Sequence, residues 1–140
     1  MIILDTNVVS ELVRGPHAEP RVLAWVRALA DQPVTTALNR AELLAGLALL
    51  PAGKRRDTLL VGIEQVLSDL TICLPFSSDC TSAYAEVLAA RTRLGRPVTT
   101  MDALIAAVAL ANNASVATRD TSGFSGLGLE VVDPWGGRPQ

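Results

Sequence analysis

The chain has 140 residues, of which 49% are hydrophobic and 19% charged, so it has the length of one folded domain and is too apolar for a disordered segment. No stretch approaches the ~20 apolar residues that cross a bilayer, and two cysteines with one histidine cannot form a structural zinc site, so we expect a reduced, cytoplasmic protein without a membrane partner. A net charge of −2 argues against a passive nucleic-acid coat, but not against an enzyme that cuts nucleic acid.

The first half of the chain alternates short apolar runs with longer segments of helical periodicity. Residues 2–4 predict a first strand, and apolar residues at helical spacing follow it until Gly15 and Pro16 break the pattern. Pro20 suits the first turn of a second helix. Further along, the sequence predicts a strand at 34–37, a helix over 41–50 and an amphipathic helix over 59–70.

The second half continues the same alternation. A third strand is expected at 71–74, and Ser77 or Ser78 is a candidate cap for a helix that ends before Gly95. Residues 103–111 are apolar on every side, which predicts a central buried helix, and strands follow at 115–118 and 129–132. This order indicates one α/β domain over residues 1–140, with a central, mainly parallel sheet of about five strands.

Four of the fourteen acidic residues occupy positions that a polar surface face does not explain. They are Asp5 at the end of the first strand, Glu42 in the first turn of the third helix, Asp102 at the start of the apolar helix, and Asp120 directly after the fourth strand. Strand carboxyl ends and the amino ends of the following helices share one edge of a parallel sheet, so we expect these acids on one rim. Carboxylates gathered there repel one another, and such oxygen ligands select Mg²⁺ or Mn²⁺.

Each acid also has a structural explanation. Asn39 and Glu42 fit a capping box, and Asp102 fits a helix N-cap worth ~1 kcal/mol. Asp5 and Asp120 fit Asx turns. These explanations give no reason why every cap on one rim is an acid, so we favour a metal site.

Four strings that contain these acids follow one another along nearly the whole chain. They are residues 1–11, residues 39–43 with Gly46, residues 95–107, and residues 116–121 with Phe124, and Pro134-Trp135 comes after them. In this order they resemble the PIN-domain ribonucleases, and in particular the VapC-type toxins of bacterial toxin–antitoxin pairs, including FitB-like members. The chain departs from that pattern at Asn39, where Thr is common, at Asp133, where Asn is frequent, and at Ser122 and Gly123, where some relatives carry a further acid. The number of metal ions is therefore left open.

The resemblance implies a PIN-like fold of three layers, α/β/α, and an Mg²⁺-dependent endoribonuclease, with Mn²⁺ as an alternative ion. It implies the toxin of a VapBC-type pair, which cleaves RNA, forms a homodimer and is held inactive by a cognate antitoxin. It also implies that Asp5 and Asp102 ligate the metal, that Asp120 ligates it or holds a bound water, and that Glu42 orients or deprotonates the attacking water. Thr6, Asn7 and Thr118 would orient these carboxylates by hydrogen bonding.

Other functions stay open at this point. A phosphatase of the haloacid dehalogenase type needs a second acid two residues after Asp5, where this chain has Asn7. A receiver-like domain needs a lysine beyond its acceptor, and Lys54 is misplaced for that role. A non-catalytic PIN-like interaction module is disfavoured because all four acids are present. Arg119 adjoins Asp120 and is a candidate RNA contact.

Overall fold

Five short strands, all paired in parallel, form the centre of the computed structural model, which describes residues 1–136. Their bounds are β1 Ile2–Leu4, β2 Thr35–Thr36, β3 Cys73–Leu74, β4 Ser115–Ala117 and β5 Val131–Val132. Strands β1, β4 and β5 form one sheet in the order β1-β4-β5, and β2 pairs with β3 in a second. A parallel bridge between Ile3 and Val34 joins the two sheets. The predicted parallel arrangement is confirmed, although the sheet is split and most strands are shorter than predicted.

Six α-helices and three short 3-10 turns lie within residues 1–136. The helices are α1 Thr6–Val13, α2 Pro20–Arg27, α3 Ala37–Ala48, α4 Lys54–Leu70, α5 Thr81–Arg93 and α6 Thr100–Ala111. The 3-10 turns are Gly15–His17, Ser78–Cys80 and Thr121–Phe124. No helix in this part of the chain is long and apolar enough to span a membrane, and the cytoplasmic location stays a prediction. The last positions of the predicted domain, 137–140, lie outside the described residues.

The sheet separates two hydrophobic clusters. Along β1, Ile3 belongs to the cluster that contains most of α6, whereas Leu4 belongs to the cluster formed with α1 to α4. Val116 and Ala117 of β4 divide in the same way. Successive side chains of a strand point to opposite faces, so a strand buried on both faces serves two layers of helices. This arrangement confirms the three-layer α/β/α fold.

Helix α6 is the central buried helix that the sequence predicted. Its fully buried residues are Ala103, Ile105, Ala106, Ala107, Val108 and Ala109. Small alanine side chains allow the helix to pack closely against the sheet and against α5. The helix begins three residues earlier than predicted, because Thr99 acts as its N-cap and accepts a hydrogen bond from the backbone N of Asp102. Asp102 therefore lies in the first turn and is not the cap.

Helix α3 also begins earlier than the predicted 41–50. The hydroxyl of Thr36, the last residue of β2, accepts a hydrogen bond from the backbone N of Asn39, so the strand leads directly into the helix without a loop. The capping-box alternative for Asn39 and Glu42 is therefore wrong. Asn39 lies inside the first turn, and Glu42 lies about one turn further along the same helix.

Candidate active site

Asp5 connects the sheet to the first helix, since it follows β1 and caps α1. Its Oδ1 accepts hydrogen bonds from the backbone N of Thr6 at 2.9 Å and from Nδ2 of Asn39 at 3.0 Å, and its Oδ2 accepts one from the hydroxyl of Thr118 at 2.8 Å. A carboxylate offers about four lone-pair sites, so three donors leave roughly one site free. The residue is only 6% exposed, so these donors take the place of most of the water around the carboxylate.

The hydroxyl of Thr118 joins three parts of the site. Besides donating to Asp5, it accepts hydrogen bonds from Nδ2 of Asn7 and from the backbone N of Asp120, both at 3.1 Å. Oδ1 of Asn7 in turn accepts the backbone N–H of Arg119 at 3.1 Å. Helix α1 and the loop after β4 are therefore tied together. Thr118 donates directly to a carboxylate, as expected, whereas Asn7 contacts no carboxylate and acts through Thr118 and the backbone of Arg119.

Glu42 approaches the site from α3 through Thr6. The hydroxyl of Thr6 donates a hydrogen bond to Oε1 of Glu42 at 2.6 Å, while the backbone N of the same residue donates to Asp5. Two acids from different elements are thus oriented by a single residue, as the sequence predicted for Thr6.

Asn39 is the site residue whose role sequence reasoning missed. It is completely buried, and its Nδ2 donates to Oδ1 of Asp5 and to the hydroxyl of Thr6, each at 3.0 Å. Its Oδ1 accepts a hydrogen bond from the hydroxyl of Thr36 at 2.6 Å, which fixes the orientation of the amide. The available signal was its spacing from Glu42, since residues three apart share one face of a helix.

Asp102 and Asp120 converge on the same point beside Gly123. A Cβ atom placed on Gly123 would lie 3.0 Å from Oδ2 of Asp102 and 3.2 Å from Oδ2 of Asp120. The hydroxyl of Ser122 donates to Oδ1 of Asp120 at 3.0 Å, and Oδ2 is the oxygen that lies beside Gly123. The glycine therefore keeps space between two carboxylates that come from distant parts of the sequence.

The pKa of Asp102 links all four acids electrostatically. This pKa is raised to about 6, chiefly by burial and next by the negative charge of Asp5, with smaller contributions from Asp120 and Glu42. The hydroxyl of Thr99 partly opposes the rise. Each of the three other acids acts on Asp102, so the structure brings the four sequence-predicted residues into one site.

The donor chemistry of this site fits a hard divalent cation. Among residues 1–136, no three Asp, Glu, His or Cys side chains stand close enough to form a coordination group by themselves. Mg²⁺ does not require such a group, because it usually retains several waters and binds only one or two carboxylates together with substrate phosphates. Asp5 has one lone-pair site left, and Asp102 is destabilised as a carboxylate, so a cation would offset the repulsion at both.

A cleft of about 400 Å³ opens beside Asp102 and Asp120. The remaining lining residues are Arg91, Arg96, Pro97, Val98, Thr99, Ser122 and Gly123. Acidic and basic side chains therefore face the same space, which suits a polyanion that binds together with a cation. Sequence alone explains Arg91 and Arg96 as cations near the end of a helix, where they interact favourably with the helix dipole.

Arg119 lies on the rim of the site next to Asp120. Its guanidinium carbon is 5.0 Å from the centroid of the Trp135 ring, within the range of a cation–π contact. The side chain is exposed, while its backbone N–H is held by Asn7. The predicted RNA contact thus lies on the surface, supported by an aromatic ring.

Comparison with known proteins gives a consistent family assignment. A family model described as the PIN domain matches residues 2–128. The plasmid stability protein StbB of Pseudomonas syringae is 48% identical over 96% of this chain and 99% of its own length. The VapC ribonuclease Y4jK of Sinorhizobium fredii is 44% identical over 96% of this chain and 98% of its own.

A third relative is the toxin FitB of Neisseria gonorrhoeae, which is 38% identical over 96% of this chain and 99% of its own length. The crystal structure of FitAcB from the same organism matches this fold with a TM-score of 0.86 and 37% identity, over 97% of this chain and 99% of that one.

Proposed function

The chain belongs to the PIN-domain family, and we propose that it is a metal-dependent endoribonuclease that hydrolyses RNA phosphodiester bonds as the toxin of a VapBC-type toxin–antitoxin pair. The observation that supports this most directly is that the carboxylates of Asp102 and Asp120, which come from distant segments, meet beside Gly123. The raised pKa of Asp102, which is caused by burial and then by Asp5, Asp120 and Glu42, is consistent with it. Asp102 and Asp120 line a cleft that also contains Arg91 and Arg96. The similar proteins named as a VapC ribonuclease and as a toxin support the same assignment.

Asp5 and Asp102 would hold the metal, with Mg²⁺ as the first choice and Mn²⁺ as an alternative. When bound, the ion would neutralise charge on the phosphodiester and lower the pKa of a water molecule. Asp5 contributes a carboxylate held by Thr118 and Asn39, so little reorganisation is needed at the moment of reaction.

Glu42 and Asp120 have complementary roles in this proposal. Oε1 of Glu42 accepts the hydroxyl hydrogen bond of Thr6, which orients the carboxylate to accept a proton from the attacking water. Asp120 is held by Ser122 through Oδ1, and its Oδ2 lies beside Gly123, where it would ligate the metal or hold a water bound to it.

The phosphatase alternative is less consistent with the contacts of Asn7. That residue occupies the position where the alternative needs a second acid, and both ends of its amide are engaged, with Thr118 and with the backbone of Arg119. A direct assay of RNA cleavage distinguishes the proposal from the alternative of a non-catalytic interaction module, because such a module would not cleave RNA.

The test is Asp5→Asn, which keeps the size of the side chain and removes its charge. We expect RNA cleavage in Mg²⁺ to fall by ~100-fold or more, the usual effect of losing one group that stabilises developing charge. Asp57→Asn, an exposed acid of α4 purified in the same way, controls for contaminating nucleases and keeps full activity. Wild-type cleavage rates in a folded Asp5→Asn variant would refute the proposal.

The proposed partners are a VapB-type antitoxin and a second copy of the chain. Exposed apolar side chains such as Leu49, which is 86% exposed, and Val61, which is 67% exposed, are consistent with an oligomer. Overproduction should arrest growth, Asp102→Ala should relieve the arrest, and light scattering should give the mass of a dimer. Equal toxicity of both forms would contradict the toxin role, and a monomeric mass would contradict the homodimer.

A further inference from the structure

Arg91 is a buried cation without an acidic partner among the described residues 1–136. It lies on α5 and is only 5% exposed, and none of the ion pairs within residues 1–136 includes it. Removing a charge from water costs several kcal/mol unless other polar groups replace the lost hydration. The surroundings of Arg91 therefore have to supply those groups.

Backbone and hydroxyl oxygens supply them. Nε of Arg91 donates to the carbonyl of Arg96 at 2.8 Å. Nη1 donates to the carbonyls of Ser122 and Ser125, both at 2.9 Å, and to the hydroxyl of Ser125 at 3.1 Å. The guanidinium is thus fixed between the end of α5 and the 3-10 turn that contains Gly123. Its positive charge is not neutralised by any of these bonds.

Nη2 is the part of the guanidinium that remains available. It makes no hydrogen bond within residues 1–136. If it were fully buried, it would be a buried polar atom without a partner, but among the described residues only Thr35 Oγ1 is such an atom. Nη2 is therefore accessible to solvent. Arg91 is also one of the residues that line the cleft together with Asp102 and Asp120.

We propose that Arg91 is a phosphate-binding residue of this cleft, and that its free N–H groups bind a non-bridging oxygen of the RNA backbone next to the bond that is cut. The proposal rests on the ribonuclease function proposed above. An RNA strand that approaches the four carboxylates is repelled by them, and a fixed cation in a partly dehydrated wall offsets this repulsion more strongly than an exposed one. The planar guanidinium also matches the geometry of phosphate oxygens.

A purely structural role for Arg91 makes a different prediction. If the residue only holds the 3-10 turn, its replacement lowers stability and kcat without altering how cleavage depends on salt. A phosphate contact instead contributes to the salt dependence, by about 0.7 in the slope of log(kcat/KM) against log[salt] for a single strand. The two roles can therefore be separated by steady-state kinetics.

The first experiment compares Arg91→Gln and Arg91→Lys with Arg93→Gln. Arg93 is an exposed arginine on the same helix that borders a different cavity, and its variant should keep the wild-type slope. For Arg91→Gln we expect a KM about 10-fold higher and a slope shallower by ~0.7, with a smaller change in kcat. Arg91→Lys should keep the slope and lose part of the affinity. An unchanged slope and KM in folded Arg91→Gln would overturn the proposal.

A second experiment uses the wild-type protein and does not depend on the folding of a variant. The fixed guanidinium of Arg91 should give resolved side-chain ¹⁵N signals, which should shift on saturation with a hydrolysis-resistant phosphorothioate trinucleotide in Mg²⁺. Arg14, which is paired with Glu11, serves as the internal control and should not shift. Unshifted Arg91 signals at saturation would overturn the assignment. If the wild-type protein does not cleave RNA at all, it is the proposed function that fails.

Discussion

The hydroxyl of Thr118 donates a hydrogen bond to Oδ2 of Asp5 at 2.8 Å, although the two residues are 113 positions apart in the sequence. The same hydroxyl oxygen accepts the backbone N–H of Asp120. One buried hydroxyl therefore determines the orientation of the first acid and the position of the fourth. Any change at Thr118 should affect both stability and activity.

Thr118→Val tests this relationship because valine has the same shape and no hydroxyl. Oδ2 of Asp5 loses its donor, and the backbone N of Asp120 loses its acceptor, in a buried environment. We expect the free energy of unfolding in urea to fall by ~1–3 kcal/mol, and RNA cleavage to fall by about 10–100-fold. Thr118→Ser keeps the hydroxyl and should stay near wild type in both assays. Full activity of Thr118→Val would show that this hydrogen bond does not orient the site.

Gly123→Ala tests the space between Asp102 and Asp120. The new Cβ would lie 3.0 Å and 3.2 Å from their Oδ2 atoms, which is closer than ordinary van der Waals contact, so both carboxylates must move by a few tenths of an ångström. We expect kcat/KM for RNA to fall by ~10-fold or more with only a small change in the melting temperature, since displaced catalytic groups lose activity more readily than stability.

Gly46→Ala is the matched control for that substitution. A Cβ at Gly46 meets no atom within 4 Å, and the position lies inside α3, where alanine is favoured over glycine by up to ~1 kcal/mol. It should raise the melting temperature and leave cleavage unchanged. If both glycine variants keep wild-type kinetics, the geometry of Asp102 and Asp120 is more tolerant than the contacts indicate.

The positions of the four acids could be predicted from the sequence because strand ends are local features. Residues 2–4 are apolar and are followed directly by Asp5, and the parallel α/β pattern then brings the acids to one edge. The all-apolar segment that became α6 was equally recognisable, since a helix without a polar face must be buried.

The roles of Asn39 and Arg91 could not be predicted in this way. Each depends on partners from distant segments: Asn39 donates to Asp5, and Arg91 reaches the carbonyls of Ser122 and Ser125. Sequence offers a local explanation for each: a helix cap for Asn39 and a favourable charge at a helix end for Arg91. Neither explanation contains information about partners that are distant in the sequence. The starts of α3 and α6 were predicted too late because their N-caps, Thr36 and Thr99, were not recognised.

Asp102→Asn tests whether the charged form of Asp102 destabilises the folded protein, as its raised pKa indicates. Asp102 has a pKa of about 6 in the folded protein and 3.8 as a reference, so the folded state binds its proton more tightly than the unfolded state does. The folded state is therefore penalised as the pH rises from about 4 to about 6, and the full penalty remains above that range. Asparagine carries no charge and avoids the penalty.

We expect metal-free Asp102→Asn to be more stable than the wild type above about pH 7 and equally stable near pH 4. The gain should be ~1 kcal/mol, since solvent screening reduces the effect of a half-buried group. Urea unfolding in EDTA across this pH range measures the difference. Glu64→Gln, at an exposed position of α4, controls for the loss of a surface charge. A variant less stable than the wild type at neutral pH would show that the carboxylate of Asp102 is not destabilised by burial and by its neighbours.

Addition of Mg²⁺ or Mn²⁺ should have the opposite effect on the wild type. An ion that binds only the folded state stabilises it by ~2.7 kcal/mol at a concentration 100 times its Kd, which should raise the melting temperature by several degrees. Because the ion competes with the proton on Asp102, the rise should diminish as the pH falls through about 6. Asp102→Asn and Asp5→Asn should lose most of it.

Scanning calorimetry in MgCl₂, compared with NaCl at equal ionic strength, separates this specific binding from general screening of the four carboxylates. A rise of equal size in both salts would mean that the acids only repel one another and hold no ion. A rise that is specific for the divalent cation but persists unchanged in Asp102→Asn would remove Asp102 from the proposed ligands and leave Asp5 as the one that remains. The calorimetric result therefore tests each ligand separately from the cleavage reaction.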